Sequence, residues 1–203
     1  MLKELLESQF YIIFSKAEDK VLMVEERQEC GDFSVIDPRA CVRCKYVCND
    51  EPKDREQLKM TCTEPVSIVN MEQVFSYVQE DIGEVCDYMM ESANATVLVE
   101  MSCSTTEYVK NKRLKARGQL YNTLEKLFTC PSIKNHIEKK AVHYVVFSWK
   151  ETFPTDAGMD DVEKSMRDMT ILADAVYSPD NESKFDFGFK LKEIRYPNIL
   201  GLS

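Results

Sequence analysis

The run Cys86-Asp87-Tyr88-Met89-Met90-Glu91-Ser92-Ala93-Asn94-Ala95-Thr96-Val97-Leu98-Val99-Glu100-Met101-Ser102-Cys103 constrains this chain more than any other segment. Two apolar-rich stretches flank Ser92-Ala93-Asn94-Ala95, which predicts strands over 85–91 and 96–103 joined as a hairpin. With the turn centred on Ala93-Asn94, opposed residues have numbers that sum to 187. Glu91 then faces Thr96, Met89 faces Leu98, and Asp87 faces Glu100. Alternation gathers Cys86, Tyr88, Met90, Val97, Val99, Met101 and Cys103 on one apolar face. Asp87, Glu100 and Ser102 share the other. Opposed side chains stand about 4.5–5.5 Å apart at Cβ, where like charges repel. A divalent cation gives two such carboxylates a reason: Mg2+ is commonly held by one or two carboxylates, with waters and substrate phosphates completing its shell.

Beyond the hairpin, Ser104-Thr105-Thr106-Glu107 has the form of a capping box. It opens a predicted long helix with apolar residues at Val109, Leu114, Tyr121, Leu124 and Phe128. Cys130-Pro131 ends that helix, a second short one runs to about Lys139, and 141–149 reads as a buried strand. Upstream, 10–15 and 21–24 are predicted to pair as a hairpin, with a short strand over 32–36 and a helix starting at Asp37-Pro38. The charged stretch 49–59 reads as a loop or weak helix, 66–69 as a strand and 71–79 as a helix. Downstream, 158–175 looks helical, and the alternation of 185–191 predicts a late strand.

No repeat or linker divides the chain. One mixed α/β domain is expected, a central sheet flanked by helices. Its parts are N-terminal strands and a Cys-containing helix (1–70), a core (71–150), and a C-terminal helix and strand appendage (151–203). A hydrophobic share of 44% beside 30% charged residues favours a packed core over disorder.

No apolar run approaches the roughly 20 residues of a membrane span, and the start Met-Leu-Lys-Glu-Leu-Leu-Glu lacks the form of a signal peptide. A cytoplasmic chain with reduced cysteines is therefore expected, in which the sequons at Asn94 and Asn181 carry no meaning. The net charge of −9 opposes wholesale coating of nucleic acid. Between Thr105 and Lys150, however, ten Lys and Arg stand against three Glu, which leaves −16 for the rest. That asymmetry fits one basic face on an acidic body, with Lys110, Lys112, Arg113, Lys115 and Arg117 as contacts to a nucleic-acid backbone or as a solvated helix side.

Cys41, Cys44 and Cys48, with Cys30 or Cys62 as a fourth ligand, have spacing that could hold zinc. The same three positions fall at i, i+3 and i+7, which equally describes a buried thiol stripe on one helix face. Cys86, Cys103 and Cys130 fall at apolar positions and read as core. A thiol enzyme would need His136 or His143, and His143 sits within a strand-like apolar run. Neither a phosphate-binding nor a dinucleotide-binding glycine loop is present, so any ATPase acting with this protein is a separate chain.

The stretch from Met71 to Lys150 resembles the PD-(D/E)XK nuclease superfamily. Its core carries an Asp on one strand, an acid-x-Lys on the next, then a helix often bearing a Gln, and another strand. Asp87 matches the first acid, Glu100 the second, Gln119 the polar helix position, and 141–149 the following strand. The resemblance implies a restriction-endonuclease-like core, with Asp87 and Glu100 binding Mg2+ or Mn2+ and Gln119 helping to position a nucleic-acid substrate. It also implies a role in bacterial phage defence or DNA maintenance. Ser102 departs from the pattern, since the family's Lys should stand there; Lys110, Lys112 and Lys115 are its nearby substitutes. Two readings follow: an active metal-dependent nuclease, and an inactive relative that binds nucleic acid or a protein partner.

Overall fold

The computed structural model describes residues 2–14, 24–36, 56–77, 83–104, 108–151, 162, 163, 165, 166, 169 and 181–202. Leu2, Leu6 and Phe10, spaced by four, form a buried stripe, and the chain there is helical: α1 (Leu2–Leu5), a π-turn (Leu6–Phe10) and α2 (Tyr11–Phe14). The expected strand over 10–15 is thus corrected to helix through Phe14. Leu2, Leu6 and Phe10 pack in one cluster with Val74, Ile133 and Ile137, a tertiary demand that overrides the strand propensity of Tyr-Ile-Ile-Phe.

The described strands form one eight-stranded mixed sheet. A long antiparallel hairpin, β1 (Glu26–Ile36) and β2 (Glu56–Asn70), leads into β3 (Tyr88–Glu91) and β4 (Ala95–Ser104). Then β5 (Val142–Glu151) pairs parallel to β4, and β7 (Lys190–Arg195) parallel to β5. β6 (Asn181–Lys184) closes one edge, and β8 (Ile199–Leu202) pairs parallel to β2. Strand therefore replaces the expected loop at 56–59 and extends the predicted strands at 32–36 and 66–69. The charged residues that disguised them are half-buried or, at Asp32, exposed, while Phe33, Val35, Leu58, Met60, Val66 and Ile68 between them are buried, as a strand that covers one face requires.

Helix α3 (Met71–Ser76) falls where predicted and is capped by Asn70, whose Oδ1 accepts from Gln73 N at 3.0 Å. Helices α4 (Val109–Phe128) and α5 (Pro131–Glu138) form the crossover between β4 and β5. The N-cap of α4 is Tyr108 without a side-chain bond, and Ser104 belongs to β4, so Ser104 does not cap this helix. The helix buries Val109, Ala116, Leu120, Leu124 and Leu127, while Leu114 is 64% exposed and Tyr121 also faces outward, against expectation. Segment 185–189 is not strand: Phe185 precedes a 3-10 turn at Asp186–Gly188, with Phe187 and Gly188 at positive φ, and the strand begins only at Lys190.

Two cores flank the sheet. On one face, Met89, Leu98 and Val145 pack against Leu120, Leu124 and Leu127 of α4. On the other, Tyr88, Met90, Val97, Val99, Met101 and Val146 pack against Leu58, Met60, Leu200 and Leu202, so the outer half of the β1–β2 hairpin and β8 close over it. Gly31, at φ 84, pairs with Cys62 just after the register shifts between Glu29 and Gly31, an irregularity of the kind that bends a strand. Tyr88 Oη donates to Ile36 O at 2.9 Å across the same core. Cys86 is an exception to the predicted apolar face: it precedes β3 and joins the helix-side core, where its N–H donates to Thr123 Oγ1 at 2.9 Å. Cys103 is exposed rather than core, whereas Cys130 is buried as expected. Val162, Glu163, Ser165, Met166 and Met169 are helical and exposed, as read for 158–175. The predicted elements at 21–23 and at Asp37-Pro38, with Cys41, Cys44 and Cys48, lie outside the described residues. No described helix is long and apolar enough to cross a membrane.

Candidate functional site

The β3–β4 register is Tyr88↔Val99, Met89↔Leu98, Met90↔Val97 and Glu91↔Thr96, as the hairpin arithmetic requires. Asp87 stands one step before β3, in the place that register assigns opposite Glu100. There its carboxylate takes over as ladder acceptor: Oδ2 receives Met101 N–H at 2.7 Å. Its backbone carbonyl receives Met71 N–H at 2.9 Å. Asp87 is fully buried, and Glu100, on the same helix-facing side of the sheet, is 5% exposed. Each acid has further contacts within the fold, yet among the described residues one oxygen of each, Asp87 Oδ1 and Glu100 Oε2, is enclosed without a hydrogen-bond donor. Burial pushes the neighbouring Cys86 thiol well above its usual range; a hydrogen bond with Thr123 opposes this, and the negative charges of Glu100 and then Asp87 add to it.

Glu100 opens onto a cavity of about 180 Å³ between β4 and the first half of α4. Its walls bring together Glu100, Ser102, Lys112, Lys115, Gln119 and Phe147. The helical period explains the convergence: positions 112, 115, 116 and 119 share one side of α4, and the small Ala116 lets the helix approach the strand. The cavity lies toward the carboxyl ends of the parallel pair β4 and β5, where open α/β sheets bind ligands.

The predicted residues divide on this frame. Glu100 and Gln119 meet at the cavity, and Asp87 lies beside it without lining it. Gln119 is 3% exposed and its Nε2 donates to Val85 O at 3.0 Å, so its amide holds the segment leading to Asp87. Of the five cations, Lys112 and Lys115 reach the cavity, and Lys115 Nζ also pairs with Glu84 Oε2 at 2.7 Å. Arg113 pairs with Glu193 of β7 at 2.7 Å, Arg117 lies 5.1 Å over the Phe185 ring, and Lys110 is exposed. Cys30 is exposed and Cys62 buried; burial raises the Cys62 thiol.

Among the described residues, no three His, Cys, Asp or Glu side chains cluster closely enough to hold a metal by themselves. The proposed zinc ligands Cys41, Cys44 and Cys48 lie outside the described residues. The two buried carboxylates do match the donor set of a magnesium ion, which keeps most of its shell as water or substrate oxygen.

Sequence reasoning missed a buried group at the hairpin's turn. Glu91 Oε1 contacts His136 Nε2 of α5 and stands 3.1 Å from Lys140 Nζ, which also donates to Ser92 O at 2.8 Å. The only sequence signal was an acid at an otherwise apolar strand end. No protein-family model matches the chain, and no curated protein and no solved structure matches it.

Proposed function

We propose that this chain is a metal-dependent nuclease of the PD-(D/E)XK type, acting in the cytoplasm on DNA or RNA. The observation that carries the reading is the shared cavity of Glu100, Ser102, Lys112, Lys115 and Gln119, with Asp87 buried beside it. Asp87 and Glu100 would hold the ion, which supplies Lewis acidity toward a phosphodiester and a lowered pKa for an attacking water. The chain's own contribution is placement. The Met101 N–H fixes one oxygen of Asp87, and Gln119 fixes the backbone before it. Lys112 or Lys115 would place positive charge where the phosphate becomes more negative, in the role Ser102 cannot fill.

Assays on DNA and RNA in Mg2+ or Mn2+ test this, comparing the wild type with Asp87→Asn and Glu100→Gln. Metal-dependent cutting lost in both variants is the expected result. Lys112→Ala or Lys115→Ala should slow cutting by about 100-fold while leaving metal-induced thermal stabilisation intact.

A second reading has its own observation. One oxygen of Asp87 and the amide of Gln119 already serve the fold, as they would in a catalytically inactive scaffold that binds nucleic acid or a protein partner. Absence of cutting together with absence of metal-induced stabilisation would favour that scaffold, and a separate ATPase or other protein as its partner.

A further inference from the structure

One step beyond the cavity, on the same face of the sheet, β5 carries Trp149, the chain's single tryptophan. Phe147, two residues earlier, lines the cavity, and strand alternation brings Trp149 out on that same side. Its register neighbours are Ser102 on β4 and Arg195 on β7. The Arg195 guanidinium lies 5.1 Å from the indole centroid. Glu193 shares that face of β7 and holds Arg113 of α4, so both cations bound the same side of the sheet. Toward β4 the neighbour is a serine, too small to cover an indole. The ring is only partly buried; it does not itself line the cavity, but its register neighbour Ser102 does, together with Lys112 and Lys115.

We infer that Trp149 is a stacking platform for an unpaired base, so the ligand of this cavity is single-stranded nucleic acid whose backbone passes Lys112 and Lys115. The inference rests on the nucleic-acid reading above and narrows its substrate class. Any base offers a π-face to an indole, and stacking of this kind tolerates sequence. A duplex hides those faces between its own base pairs. Arg195, already over the indole, fixes the ring in place, so little side-chain freedom is lost on binding. Lys112 and Lys115, in the cavity that Ser102 also lines, would neutralise phosphates of the same strand.

The single tryptophan makes the test direct. A short oligothymidylate is titrated into the full chain, with calcium in place of magnesium so that binding is read apart from turnover. Tryptophan emission should change saturably, and a duplex of equal length should leave it unchanged. Binding of the labelled oligothymidylate should weaken by about 5- to 100-fold in Trp149→Ala, with Trp149→Phe in between. Oligothymidylate binding without an emission change, equal effects of the duplex, or wild-type affinity in Trp149→Ala would each overturn the inference. Should Trp149→Ala fail to fold, the wild-type titration alone decides. Cutting lost in Glu100→Gln but untouched in folded Trp149→Ala would overturn the stacking platform and keep the nuclease. Emission change without cutting in any metal would keep the platform on an inactive scaffold.

Discussion

Glu91 and His136 are buried and Lys140 is half-buried, which makes the clasp between α5 and the β3–β4 turn sensitive to loss of its anion. Glu91→Ala would leave the buried His136 ring nitrogen without its carboxylate, while Lys140 keeps Ser92 O and Ala93 O as acceptors, and should cost about 2 kcal/mol in urea unfolding. Removing Glu84, the exposed partner of Lys115, should cost less than about 1 kcal/mol. Equal losses would show that the clasp is no more than a surface pair. Cys86 gives a pH signature of definite sign. Its thiol is raised well above 9.0 in the fold, by burial first and then by Glu100 and Asp87, with Thr123 opposing. The stability this represents is complete below the unfolded value and lost as pH rises toward the folded one, because the unfolded chain then releases a proton the native state keeps. Urea midpoints should therefore decline above about pH 9, and less steeply in Cys86→Ala. An unchanged decline in that variant would remove Cys86 as its source. Asp87 and Glu100 were legible because a period of two and one turn fix a register. The Trp149–Arg195 pair was not, because nothing in the sequence says that β5 and β7 are neighbours.

Helix α4 shows which element-scale signals survive folding. Its existence was plain from spacing, but its buried face was misjudged by a fraction of a turn. Leu114 and Tyr121 attracted the apolar stripe, whereas the fold buries Ala116, Gln119 and Thr123, which fit closely against β4 or bond to the segment before β3. Gly118 lies mid-helix on the exposed side, and a Cβ there would meet nothing within 4 Å. Gly118→Ala should stabilise the protein by about 0.5–1 kcal/mol, read as a raised urea midpoint at constant slope. A loss instead would mean that the exposed side of α4 is occupied in solution. The N-terminal helix was missed for the reverse reason. Tyr-Ile-Ile-Phe favours strand locally, and the stripe of Leu2, Leu6 and Phe10 is short enough to pass unnoticed without its partners in α3 and α5. The late strand failed at Phe187 and Gly188, whose positive φ turns a run that alternates in sequence but not in space.

For the whole molecule, the question is how a chain of net charge −9 would hold a polyanion at all. Overall charge predicts repulsion, and a local row of cations on α4 predicts attraction; the distance over which salt screens charge decides between them. At physiological ionic strength that distance is about 8 Å, shorter than the span of the sheet, so cations beside the cavity should act largely apart from the acidic remainder. Lys112 and Lys115 then set the salt dependence of binding. Replacing both with Gln should weaken single-strand affinity and flatten the plot of log affinity against log salt by about 1.4, at roughly 0.7 for each phosphate released from a single strand. Lys134→Gln with Lys139→Gln is the matched control: the same change in net charge, made on exposed positions of the α5 end, where neither side chain lines the cavity. That pair should leave the slope unchanged. If both pairs lower affinity and slope alike, net charge governs association, and the basic face of α4 is a solvated helix side.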